Sequence, residues 1–297
     1  MSSRSSGTMA GIAALAAVCG GCAEVVAVDG HRYVDRLEKR FDVTGRPELT
    51  LSTFDGSVEV RPWDRPEVLI VVERRAGTRD AIDSIEIDVD QDGDRIRLSA
   101  RKQPEHAFDW TFGGRSASLV VNVPAESDLQ ARTGDGSLDV EGLTGRVDLR
   151  SGDGTIRGRR LAGELKMATG DGSINLSDAS GTLSAQTGDG SVSVEGTLTA
   201  VRVHTGDGTV TMAVASGSET TTDWTIATGD GSVRLELPDD FSADLDAHTG
   251  DGRISVEDLR VNVSGRMGKN RLRGQLGTGG APLRIRTGDG SITLRRR

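Results

Sequence analysis

The chain is poor in the residues that build bulky cores and disulfide frameworks. Among 297 residues there are 9 aromatics (5 Phe, 3 Trp, 1 Tyr), 7 prolines and 2 cysteines. Both cysteines, Cys19 and Cys22, lie near the start, and none follows Cys22, so a disulfide framework for the body of the chain is excluded. So few aromatics argue against a large-sided enzyme core. Lys and Arg number 36 against 45 Asp and Glu, a net charge of −9, and a polyanion such as nucleic acid is not the expected partner. What is abundant is glycine, 40 residues and about twice ordinary usage.

The segment Met1–Ala23 reads as an export signal. Arg4 is its only charge, an apolar run extends from Met9 to Val18, and Cys19-Gly20-Gly21-Cys22-Ala23 follows. The run is too short to span a bilayer and fits a signal h-region. Cys22, preceded by Gly21, is the candidate lipid-attachment residue of a lipoprotein signal over residues 1–22, although Cys19 stands where the motif takes Leu. The alternatives are lipidation at Cys19, plain secretion with cleavage after Ala23 or Ala27, or a segment that is not cleaved. Acyl chains on a cysteine would supply stable anchoring. An acidic chain gains nothing from anionic lipid, so membrane contact is expected through the lipid alone.

An internal repeat dominates the rest. Thr-Gly-Asp-Gly-Ser or a close variant begins at Thr133, Ser151, Thr169, Thr187, Thr205, Thr228, Thr249 and Thr287, with a relative at Thr53-Phe54-Asp55-Gly56-Ser57. The copies from Thr133 to Thr205 are evenly spaced, and the next two steps are slightly longer. The last step is close to two periods, with Met267–Arg271 where a further copy would fall. Each period carries two stretches of alternating polarity, such as Leu138-Asp139-Val140 and Val147-Asp148-Leu149, which mark strands with one face inward. A unit this short cannot close its own core and must stack on its neighbours. The expected fold is all-β: a parallel β-solenoid of coils of about 18 residues, right-handed by the general rule for parallel crossovers, over residues 126–297. Residues 23–125 form a less regular β region capping its open end. Whether two or three faces bound each coil stays open, and essentially no helix is expected after the signal.

Parity puts Leu149, Ser151, Val203 and Thr205 inward, and Arg132, Arg150, Gln186, His204, His248 and Arg286 outward. The glycines flanking each Asp are expected to supply positive φ, and the Asp to cap amides of the bend. Asp135, Asp153, Asp171, Asp189, Asp207, Asp230, Asp251 and Asp289 would then stack along one edge. Neighbouring carboxylates one rung apart in water repel by roughly 0.9 kcal/mol. Calcium bridging successive turns is one reading of this ladder. The other is that each Asp serves its own turn and no cofactor is bound, since one carboxylate per coil is a thin donor set for calcium. Phe108, Trp110 and Phe112 suggest an aromatic plug or a sugar-stacking patch, Trp224 has core parity, and Arg295-Arg296-Arg297 reads as a solvated basic end.

The run from Thr53 to Val68, which includes Trp63-Asp64-Arg65-Pro66-Glu67, together with the Gly-Asp-Gly repeats, resembles the bacterial putative-adhesin family of unknown function over roughly residues 40–295. The resemblance implies an envelope or secreted β-strand repeat protein and transfers no binding residue. The expectation is a non-catalytic, lipid-anchored envelope protein, adhesin-like or a scaffold, whose partner is an envelope protein or glycan. The alternative is a polysaccharide-cleaving β-helix enzyme. Against that stand scattered histidines (His31, His106, His204, His248) and an insertion at Ser216–Asp223 that holds no His, Lys or Arg.

Overall fold

The computed structural model describes residues 25–29, 32–103, 114–264 and 268–297. Cys19, Cys22, His31, His106 and the Phe108–Phe112 stripe lie outside them. The described chain is all-β: 24 strands join one hydrogen-bonded sheet that folds back on itself, with a single five-residue helix, Arg79–Asp83. Thr78 caps that helix, its Oγ1 accepting from the Ala81 N–H at 3.2 Å.

Each motif copy forms one rung: a strand leading into the Gly-Asp-Gly turn and a strand trailing out of it. The trailing strands pair in parallel at the repeat period, with Leu138 beside Ile156, Ile156 beside Ile174, Ile174 beside Val192 and Val192 beside Val210. The leading strands do the same through Leu149–Met167, Leu165–Leu183 and Leu183–Val201. Two long strands, Ile174–Thr187 and Val192–Thr205, run through both columns and join them at the corner opposite the motif. In-register pairing sets like side chains over one another, so Val, Leu and Ile line the interior in columns. Leu138, Leu149, Ile156, Ile174 and Val203 are all fully buried, and Trp224 is buried edge-on to Phe241 at 5.2 Å between ring centroids.

The rungs do not stack in chain order. The C-terminal rung lies between two earlier ones: Ile285 pairs with Ile226 on one side and Ala247 on the other, and Ile292 with Val233 and Ile254. The Thr53 rung is likewise intercalated, Leu51 between Leu98 and Ala131, and Val60 between Val121 and Val140. Parallel pairing therefore runs unbroken across residue 125, between Glu48–Thr53 and Asp128–Thr133.

Antiparallel strands close both ends. At one, Ile85–Asp92 folds onto Arg95–Lys102 through a hairpin turn at Gly93, and Glu67–Ala76 pairs with Ser116–Pro124 and with Arg32–Asp42. At the other, Arg271–Leu276 runs antiparallel to Ala243–Thr249 and carries Val261–Val263. The segment expected to hold a missing motif copy thus leads into a capping strand. It lacks the Gly-Asp-Gly turn that would let it stack as a parallel rung.

Candidate functional site

The motif turn is bolted by its threonine. Thr187 Oγ1 lies 3.1 Å from the Gly170 carbonyl and 2.8 Å from that of Gly172 in the preceding rung, and Thr169, Thr205 and Thr228 repeat the arrangement. The same oxygen accepts from the turn, as from Gly208 N–H to Thr205 at 3.2 Å. Thr249 reaches Gly288 and Gly290, the rung that sits beside it in space and not the one before it in sequence. The hydroxyl, not the aspartate, takes the amide of the bend, which corrects the expectation of Asp capping.

The motif glycines have a different reason than expected. Among the described residues positive φ occurs at ten glycines, but within the motif copies only at Gly56. A Cβ on Gly190 would fall 2.0 Å from the Gly172 carbonyl oxygen, and on Gly208 2.0 Å from that of Gly190. The turns stack backbone on backbone, with Gly188 N–H donating to Gly170 C=O at 2.5 Å, and no side chain fits between them.

Asp135, Asp153, Asp171, Asp189, Asp207, Asp230, Asp251 and Asp289 all project outward and are exposed, one per rung along a single edge. Their order in space ends 230, 289, 251, following the rung order. Among the described residues no three His, Cys, Asp or Glu side chains converge as a metal would require. The predicted outward column is outward: Arg132, Arg150, Gln186 and His204 are exposed, and His248 and Arg286 half-buried. His248 Nδ1 lies 3.1 Å from the Asn270 carbonyl.

The outer face of the trailing column shows three rows. Nearest the turn stand hydroxyls, Thr155, Ser173, Ser191, Thr209 and Ser232. Arg157, Asn175, Ser193, Thr211 and Arg234 align next through successive pairings. The third row is Arg159, Ser177, Glu195, Ala213 and Glu236. A shallow trough of about 290 Å³ is lined by Arg157, Arg159, Asn175, Ser177, Ser193 and Glu195, among others. A comparable trough of about 260 Å³ on the leading face involves Lys166, Ser184, Arg202 and Asp223.

Charges on these faces are mostly paired. Arg159 Nη2 donates to Glu141 at 3.0 Å, Arg160 also donates to it, and the two hold that carboxyl below the usual range. Lys166 and Arg146 lower Glu164 in the same way. Burial pushes Asp246 up, but Arg286 and Arg273 outweigh it and hold the group low. All three shifts run opposite to what a general acid at neutral pH needs. The C-terminal arginines are exposed, as expected, but each is ion-paired: Arg295 binds Glu236, Arg296 binds Asp239 and Arg297 binds Glu195. Those acids lie on rungs distant in sequence, so nothing local announced the pairs. Sequence reasoning also missed Asp35, the one charged residue buried among those described; Arg74 Nε donates to it at 2.6 Å.

With alternating strands, stacked glycine turns and capped ends in view, the family can be stated. The chain belongs to the Toastrack family, DUF4097, whose model matches residues 47–295. No curated protein matches it. Similar solved structures include a putative adhesin from Parabacteroides merdae, at 11% identity and TM-score 0.47 over 87% of this chain and 95% of that one. A putative lipid binding protein from Parabacteroides distasonis gives 14% and 0.44 over 87% and 96%. A putative cell adhesion protein from Clostridium sporogenes gives 12% and 0.29 over 88% and 100%. At such identities and scores no role transfers from these neighbours.

Proposed function

We propose that the chain is a non-catalytic protein of the cell envelope, exported and held at the outer face of a membrane by a lipid on Cys22. In this reading it is a right-handed β-solenoid that presents flat arrays of side chains to an envelope protein or glycan. The observation that carries the reading is the pairing of a rigid, backbone-bolted stack with outer sheet faces that carry polar side chains and two shallow troughs. Such a surface suits contact with an extended partner better than enclosure of a small substrate. The downward shifts of Glu141, Glu164 and Asp246 fit ion pairs that order a surface.

A glycan array and a pull-down from envelope extract, both with the folded chain, test the role. Saturable binding to either class supports it, and turnover of a polysaccharide overturns it. Labelled palmitate should be incorporated and lost in Cys22→Ser while kept in Cys19→Ser. Retention of label in Cys22→Ser would refute that anchor.

A further inference from the structure

Two guanidiniums in the second row of the trailing face have no acidic partner among the described residues. Arg157 and Arg234 are exposed, and among the described residues no acidic side chain binds either of them. The acids around them are already occupied: Asp139, beside Arg157, by Arg159, Glu195 by Arg297 and Glu236 by Arg295. Arg159 therefore cancels negative charge beside Arg157, and the C-terminal tail does so beside Arg234 and midway between the two, on an otherwise acidic chain. Between them lie Asn175, Ser193 and Thr211, one per rung, in an unbroken row. At the usual strand spacing of about 4.8 Å, the two cations are about 19 Å apart.

From this geometry we infer that the trailing face binds a linear polysaccharide of acidic sugars, laid along the stacking axis from Arg157 to Arg234. The inference rests on the envelope-binding reading above and names the ligand class for this face. Guanidinium forks fit carboxylates, and the amide and hydroxyl floor offers both donors and acceptors to sugar hydroxyls. That separation spans several sugar units, so one chain reaches both arginines and a single sugar does not. The aspartate edge lies beyond the hydroxyl row and repels the same ligand, which sets the chain's track away from the turns and toward the third row.

The test uses the full chain with polygalacturonate as probe and its methyl-esterified form as the uncharged control, at low and physiological salt. Arg157→Gln and Arg234→Gln should each weaken polygalacturonate binding about tenfold, the scale of one charged hydrogen-bonded contact. The double variant should lose it, as should Ser193→Trp, which fills the trough. Arg97→Gln on the capping hairpin, away from both troughs, should bind as wild type, and unchanged melting should show that all variants fold. No binding to polygalacturonate, equal binding of the esterified form, or equal loss in Arg97→Gln would overturn the inference. So would a protein partner whose binding is lost in the same variants. If a neutral glycan binds on the array while polygalacturonate does not, the ligand class fails and the envelope-binding reading stands.

Discussion

The rungs from Thr133 to Thr205 and the rung from Pro282 to Arg296 share one motif but differ in how they find neighbours. In the first group each rung pairs with the copies immediately before and after it in the chain. The last rung reaches far back instead, Ile285 pairing with Ile226 and with Ala247. The contacts are nonetheless the same: Thr287 Oγ1 lies 2.7 Å from the Gly231 carbonyl and Thr187 Oγ1 2.8 Å from that of Gly172. A rung is therefore an interchangeable part, and closing a long loop is the only added cost, one that grows slowly with loop length.

Substituting the turn glycines should have the largest effect. In Gly190→Ala and Gly290→Ala the new Cβ would lie 2.0 Å from the Gly172 and Gly231 carbonyl oxygens. Backbone cannot yield as a side chain does, so each should cost about 3 kcal/mol or more in urea unfolding. Hydrogen exchange separates the two regions. Gly290→Ala should expose amides in Trp224–Leu237 and Ala243–Glu257 together while Leu138–Val194 stays protected. Exposure confined to residues next to 290 in the chain would contradict the intercalated order.

Thr187→Val and Thr249→Val come next, each leaving glycine carbonyls without their hydroxyl donor. Each should lose about 1–3 kcal/mol, and similar losses would show that the intercalated rung is bolted as tightly as the middle ones. A much smaller loss for Thr249→Val would mark the terminal rung as looser. A third effect belongs to the corner opposite the motif, where Gly142, Arg160 and Asp178 occupy equivalent left-handed positions at φ 66, 51 and 53°. Asp178→Val should cost about 1–2 kcal/mol in thermal melting, since a β-branched residue is strained there, and Asp178→Gly should cost nothing.

The smallest effect is electrostatic and confined to the terminal region. Arg286 of the intercalated rung and Arg273 of the capping strand both pair with Asp246. Because the folded carboxyl is held below its ordinary value, its contribution is complete above the unfolded pKa of about 3.9 and is lost as pH falls through the folded value. Melting midpoints should drop below about pH 4, and Arg286→Gln should flatten that drop. An identical acid profile in the variant would show that other carboxylates dominate.

Much of this was legible in the sequence. Alternation assigned Val203 and Thr205 to the interior and Arg150 and His204 to the surface, because a strand's side chains change face at every residue and burial permits one parity only. The even period of the motif defined the rung, and Trp224 is core as its parity predicted. The candidate surface was less legible. Arg157 and Arg234 look like any arginines until Arg159 is seen on Asp139 and Arg295 and Arg297 on Glu236 and Glu195 of rungs far away in sequence. The turn glycines suggest positive φ from the sequence, whereas the requirement comes from a second backbone that the sequence does not show.

Taken alone, the sequence determined the strand, the turn and the inward face, since these depend on spacing along one chain. Rung order, the antiparallel caps and the pairing of the C-terminal arginines were decided only in three dimensions. Strand edges recognise one another through backbone groups that are the same in every copy. Nothing in a repeated motif says which copy will lie beside which, and only the whole stack, with its ends to be closed and its charges to be matched, makes that choice.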